Sequence, residues 1–198
     1  MGLSLIDYQW FQSINHLADV YPFLNPIMDF FAEDGEYLFY LGVILYWFYR
    51  TPQNRRMVAG ALLSACLALG INAGLGLLFY RDRPFVHHHV IQLIPHAANA
   101  SFPSDHAAGA FVIAMSIFLW RRKDGFFWLI FAACVAFSRV WTGVHYPTDV
   151  LAGTVIGMGS ALLLYRLTLR WRLLNMILTS LIEIYETLEH KVWAPKPK

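Results

Sequence analysis

The sequence predicts an all-α integral membrane bundle closed by an amphipathic C-terminal helix. Three observations carry that prediction. Of 198 residues, 58% are hydrophobic and 16% aromatic, and only 14% are charged; soluble domains run at about 25% charged. The apolar residues gather into runs close to the ~20 residues a helix needs to cross a bilayer. Basic turns separate these runs at alternate ends, the charge pattern of a chain that crosses repeatedly. The length allows one compact domain, read here as a membrane domain over 1–172 and a tail over 173–198. A net charge of +2 gives no footing for a nucleic-acid partner. Cys66 and Cys134 each fall inside an apolar run and read as buried free thiols rather than a disulfide. The first 49 residues hold no Lys or Arg, so no basic leader of a signal peptide is present among them.

Taken in order, residues 1–34 are mixed. Polar and apolar positions alternate irregularly from Leu3 to Val20, and Pro22 and Pro26 interrupt the next stretch. A broken first crossing and an interfacial helix pair are both open. Glu33-Asp34-Gly35-Glu36 is an acidic turn. Tyr37 to Tyr49 is apolar, with Trp47 and the tyrosines as interface anchors. Arg50, Arg55 and Arg56 come after it. Met57 to Tyr80 is the next crossing, and its small residues, Gly60, Ala61 and Ala65 among them, allow close helix approach. Arg81 to Asp105 is a polar loop. Ala107 to Trp120, Phe126 to Trp141 and Val150 to Leu169 are three further crossings, the first two joined by Arg121-Arg122-Lys123-Asp124-Gly125.

Parity then sets the topology. The basic segments 50–56, 121–125 and 166–172 share one face, which the positive-inside rule makes cytoplasmic. The loops 81–105 and 143–149 share the other. The tail from Leu173 has apolar residues at Leu174, Ile177, Leu178, Leu181, Ile184, Tyr185 and Leu188, with Glu183, Glu186 and Glu189 off the stripe. This is the spacing of an amphipathic helix lying on the cytoplasmic surface. Residues 194–198 are expected to lack fixed structure.

The chemistry gathers on the outer loops. In Ser138-Arg139-Val140-Trp141-Thr142-Gly143-Val144-His145-Tyr146-Pro147-Thr148-Asp149, an arginine, a histidine and a carboxylate stand at a crossing boundary. Charge there costs about 2.5–3.5 kcal/mol on insertion scales, so it calls for a partner or a function. Arg139 and Arg83 offer planar forks of donors suited to phosphate. His145 can act as nucleophile or base, and Asp149 can fix its tautomer. Ser104 begins a helix, where backbone N–H groups face an anion, and is also an ordinary N-cap. His106 supplies a second histidine, so that one can attack while the other donates a proton. No carboxylate cluster suits a divalent metal, and no cofactor is expected; the arginines would neutralise the phosphate. His87-His88-His89 reads as a solvated loop rather than a metal site, and His96 and His16 as surface or interface residues.

Arg83-Pro84, Pro103-Ser104-Asp105-His106, and Ser138-Arg139 with His145 and Asp149 together resemble the three signature motifs of the type-2 phosphatidic acid phosphatase superfamily. Two departures stand out. Asp105 occupies the usual glycine of the second motif, and Gly76 stands where the first motif usually has lysine. The Arg81-Asp82-Arg83-Pro84 and Pro-Ser-Asp-His variants resemble the bacitracin-resistance type of bacterial undecaprenyl-diphosphate phosphatase. That resemblance implies a bundle of about six membrane helices, with a sixth crossing drawn from the N-terminal region. It implies a bacterial plasma-membrane enzyme and a lipid diphosphate substrate in the outer leaflet. His145 would attack the terminal phosphorus, oriented by Asp149, and His106 would protonate the departing lipid phosphate. Arg83, Ser104 and Arg139 would hold the phosphoryl oxygens, with Arg81 on the second phosphate. Asp105 is grouped with these phosphate-site residues, and tuning His106 and capping its helix are both open to it. A broader lipid phosphatase acting on phosphatidylglycerophosphate or phosphatidic acid is the enzymatic alternative. A lipid- or bacitracin-binding membrane protein is the non-enzymatic one, but it would not need paired histidines. A transporter would need more polar residues within the crossings than Asn72 and Ser116 supply.

Overall fold

The computed structural model describes residues 3–193, and every regular element among them is helical. The pentapeptide 194–198 lies outside the described residues. Three helices are long and apolar enough to cross a membrane: α5 (Pro52–Leu78), α8 (Arg122–Trp141) and α9 (Pro147–Arg170), the names following chain order. Between α5 and α8 runs α7 (Asp105–Trp120), apolar and 16 residues long. It is the centre of the bundle, packed against α9, α8 and α5. Its buried face is Ala107, Ala108, Ala110, Val112 and Ala114, small side chains that let the neighbouring backbones close in. Gly153 on α9 completes the approach: a Cβ there would stand 2.3 Å from the Ser104 carbonyl oxygen.

Ahead of these, α3 (Asn25–Glu33) and α4 (Gly35–Phe48) are separated by Asp34 alone. Together they form a broken crossing on the α8 and α7 side of the bundle. The first residues form α1 (Leu3–Asn15) and α2 (Leu17–Val20). The 13 residues of α1 span about 20 Å, short of a ~30 Å hydrocarbon core. Its polar side chains hold it to the loop end of the bundle instead. Asp7 accepts from the Thr148 backbone N–H at 3.0 Å, and Asn15 donates to the Trp141 carbonyl at 2.8 Å. Phe11 packs among Ala107, Val140, Tyr146 and Val150.

The basic turns meet at the opposite end. Gln53 donates to the Trp120 carbonyl at 3.0 Å, tying the α4–α5 turn to the α7–α8 turn. Helix α10 (Arg172–Trp193) docks there through charge. Arg55 pairs with Glu186 at 2.7 Å and Glu189 at 2.5 Å, and Arg50 with Glu189 at 3.2 Å. Thus Glu186 and Glu189, off the apolar stripe in the sequence, face the bundle. Leu178 and Ile182 are buried, whereas Ile177, Leu181, Ile184 and Leu188 stay exposed, as suits a helix in a lipid interface. The cysteines are free thiols, but Cys66 is exposed and Cys134 half-buried. Crossing helices turn much of their apolar surface outward, since lipid is as apolar as a core.

Candidate active site

The loop between α8 and α9 is short and turns at Gly143, whose φ is +83°. A side chain there would be strained, and its Cβ would stand 2.7 Å from the Ile91 carbonyl oxygen. Pro147 opens α9, and Asp149, two residues on, folds back to accept the Tyr146 backbone N–H at 2.9 Å. This reciprocal cap brings the carboxylate beneath the loop that carries His145. The Ser104 backbone N–H donates to the Asp149 carbonyl at 3.0 Å, which locks the start of α7 to the start of α9.

His145 is 2% exposed. Its Nε2 accepts from Arg83 Nη1 at 3.0 Å. A guanidinium can only donate, so Nε2 holds the lone pair and the ring proton sits on Nδ1. Nδ1 lies 3.7 Å from Asp149 Oδ2, beyond hydrogen-bond reach, and 3.4 Å from Ser101 Oγ. Ser101 Oγ in turn donates to Asp149 Oδ2 at 2.5 Å. The link between histidine and carboxylate therefore passes through a buried hydroxyl. The sequence reading missed Ser101, although it stands in the same loop three residues before Ser104. Burial, added to by the charges of Arg83 and Arg139, pushes the His145 imidazole down to about 4. It is neutral over the physiological range.

The two arginines are held differently. Before the short helix α6 (Pro84–His87), Arg83 donates through Nε to Asn99 at 3.0 Å and through Nη1 to the Val144 carbonyl at 2.9 Å. Burial pushes its guanidinium down to about 10, still fully charged at neutral pH. Arg139, in the last turn of α8, is 2% exposed. Its Nη1 donates to the Ala32 carbonyl at 2.6 Å, while buried Nε and Nη2 have no partner among the described residues. Unmade bonds on a buried cation are costly, and an anion is the kind of ligand that would complete them. Arg139 lines a cleft shared with His106, His96, Pro95, Tyr37 and Asp34. His106 Nε2 stands 3.7 Å from a Glu36 carboxylate oxygen. Ser104, fully buried, caps α7 by accepting the Ala107 N–H at 3.4 Å.

Other expected residues are turned elsewhere. Arg81 donates to Asp149 at 2.9 Å, Thr148 at 2.8 Å and Asp7 at 2.7 Å, with its guanidinium 3.7 Å from the Tyr146 ring centroid. Its charge is taken up by two carboxylates, so a contact to a second phosphate is not provided for. Asp105 accepts from Asn72 on α5 at 2.9 Å. Gly76, at the motif lysine's position, lies against the Phe102 carbonyl. Two further residues were not foreseen at the site: Asp7, through Arg81, and His96, read as a surface group. The His96 ring centroid is 6.3 Å from that of His145, and burial pushes its imidazole down. The three adjacent histidines diverge: His87 pairs with Asp82 at 2.9 Å, and His88 stacks on Tyr8 at 4.0 Å.

A neutral imidazole nitrogen beside two arginines and a helix start is arranged to receive a phosphoryl group. Known proteins similar to this chain include phosphatases. A protein from Bacillus licheniformis called bacitracin transport permease protein BcrC is 37% identical over 100% of this chain and 96% of its own. Undecaprenyl-diphosphatase BcrC of Bacillus subtilis is 35% identical over 94% of this chain and 95% of its own. Among solved structures, Aquifex aeolicus LpxE superposes with a TM-score of 0.72 at 25% identity, covering 81% of this chain and 95% of that one. A Bacillus subtilis PAP2-type phosphatidylglycerolphosphate phosphatase gives 0.61 at 26% identity, covering 83% and 89%. With residues 57–173 also matching the PAP2 superfamily model, the chain belongs to the PAP2 superfamily.

Proposed function

We propose that the protein hydrolyses undecaprenyl diphosphate to undecaprenyl phosphate and inorganic phosphate, recycling the cell-wall lipid carrier and thereby supporting bacitracin resistance. The observation that carries this reading is Arg139, a buried cation with two unpaired donors in the wall of a cleft. The relatives' names supply the substrate, since the diphosphatase relative is similar over nearly its whole length. His145 Nε2 attacks the terminal phosphorus. An N–P bond forms, and the P–O bond to the bridging oxygen breaks. Arg83, Arg139 and the α7 start at Ser104 neutralise the oxygens in flight. His106 gives a proton to the departing lipid phosphate. A water then gives a proton to His106 and attacks the phosphohistidine; the N–P bond breaks, releasing phosphate and restoring the neutral His145 imidazole and the protonated His106. Ser101 and Asp149 hold the Nδ1–H tautomer, and Arg81, bound by Asp7 and Asp149, positions that carboxylate rather than the substrate. Asp105 shapes the start of α7 through Asn72.

The histidine end faces outward in this reading, and α10 lies on the cytoplasmic side of a bacterial plasma membrane. What supports it is the bias of Arg50, Arg55, Arg56, Arg121, Arg122 and Lys123 to the other end. The test is phosphate release from undecaprenyl diphosphate in detergent with EDTA, wild type against His145→Ala. Release by wild type alone is expected. Equal release by both would remove His145 as nucleophile. No release by clean folded wild type would remove the substrate or reveal a metal requirement. Phosphatidylglycerophosphate and phosphatidic acid, offered as competitors, separate the broader lipid phosphatase.

A further inference from the structure

The basic end of the bundle holds a second cavity, of about 120 Å³. Helices α5, α7 and α9 wall it and α10 roofs it. Gly60, Ala61 and Ala161 leave the space open, and exposed Leu169 stands at its border. The serines inside are already occupied: Ser64 donates to the Gly60 carbonyl and Ser116 to the Val112 carbonyl, each at 2.7 Å. Arg56 is the charge of this cavity. It reaches from α5 to α10, donating to Asn175 at 3.1 Å and to Thr179 at 2.5 Å, both neutral. Its neighbours Arg50 and Arg55 are neutralised by Glu186 and Glu189. Among the described residues, no carboxylate pairs with Arg56.

We propose that this cavity binds the headgroup phosphate of an anionic phospholipid from the leaflet that holds α10. Three features select that ligand. The half-buried Arg56 supplies an unmatched positive charge, and basic pockets between membrane helices take anionic headgroups. The outward apolar residues Ile177 and Leu181 on α10 set the border of the cavity at the level of the lipid interface. The volume holds about four water-sized groups, which fits a phosphate with its first carbon. The acyl chains then remain in the bilayer over Leu169. The site lies at the end of the molecule away from His145 and does not depend on the phosphatase reading.

The test is lipid retention by native mass spectrometry after extraction from vesicles of equal phosphatidylglycerol and phosphatidylcholine. Wild type and Arg56→Lys are expected to retain phosphatidylglycerol preferentially. Arg56→Gln is expected to lose that preference about tenfold, the effect of one charge-assisted hydrogen bond. Gly60→Leu is expected to lose it as well, because a Cβ at Gly60 meets nothing within 4 Å and the side chain fills the cavity without a backbone clash. This second variant leaves the Arg56 anchor of α10 in place. The helical circular dichroism and the monodisperse elution of both variants should match wild type, which shows that they are folded. The proposal is overturned if both variants retain phosphatidylglycerol as wild type does, or if wild type shows no preference. Displacement of the lipid by millimolar inorganic phosphate would assign the cavity to a soluble anion and equally overturn it.

Discussion

Two buried arginines, one at each end of the bundle, make opposite arrangements. Arg55 is 3% exposed and lies against Glu186 and Glu189. Arg139 is 2% exposed, meets one carbonyl, and keeps two donors unpaired. Both side chains carry a desolvation cost for their charge. At Arg55 the protein itself offsets that cost, and the result is a fastened C-terminal helix. At Arg139 one carbonyl offsets part of it, and two donors stay without a partner among the described residues. Arg55 is neutralised by two carboxylates, with its Nε unpaired, and fastens a helix; Arg139, with two donors unpaired beside a cleft, is the candidate binding group.

The comparison breaks most readily at Arg139. Arg139→Gln should lower phosphate release by about 10²–10³-fold, the range for losing one donor to a developing oxyanion. The thermal midpoint of this variant should hold or rise, because an uncompensated buried charge is gone. A collapse of the fold with the activity would make Arg139 as structural as Arg55. Next in size is Ser101→Ala, which removes the hydroxyl between His145 and Asp149. We expect kcat to fall about 10–100-fold, as for a lost hydrogen bond to a charged group, with KM held. An unchanged kcat would mean that Asp149 reaches the imidazole unaided.

The pH profile sharpens the same contrast. His145 must be neutral to attack, and burial with two neighbouring arginines holds its imidazole down at about 4. The acid limb of kcat/KM should therefore fall below the ordinary histidine value of about 6.5, with activity lost as the pH drops toward 4. An acid limb at the ordinary value would place the essential base in water. The smallest effect is expected at the other arginine. Arg55→Gln should leave activity within about twofold, since distant sites are nearly independent. It should lower the thermal midpoint by a few degrees, because Glu186 and Glu189 lose their shared partner.

Much of this site was legible in the sequence. Arg83, Ser104, His106, Arg139, His145 and Asp149 are charged or polar groups at the ends of apolar runs, and such placement is conspicuous without a fold. The crossings were legible for the same reason. Ser101 was not, because a serine in a polar loop carries no signal until its neighbours are known. His96 was read as surface, since a lone histidine has many ordinary homes. Arg81 looked equivalent to Arg83, yet Asp7, 74 residues away, claims it. Nor was the place of α1 legible, because Asp7 and Asn15 find their partners in distant loops and hold α1 at the end of the bundle. Trp141 and Tyr146 flank the site in sequence, but both are buried, Trp141 donating to Asn25 and Tyr146 lying under Arg81.

What the sequence determined by itself was the helical class, the order of the apolar crossings, the two faces of the bundle and the chemical inventory of the site. These depend on local composition and periodicity, which the free energies of burying apolar surface and of burying charge translate directly into structure. Tertiary structure alone decided which cations are neutralised and which stay open. Arg55 meets Glu189 across 134 residues of chain and Arg139 meets Ala32 across 107. Long-range packing makes those pairings, and the pairing of a buried charge, rather than its presence, separates a fastening from a site.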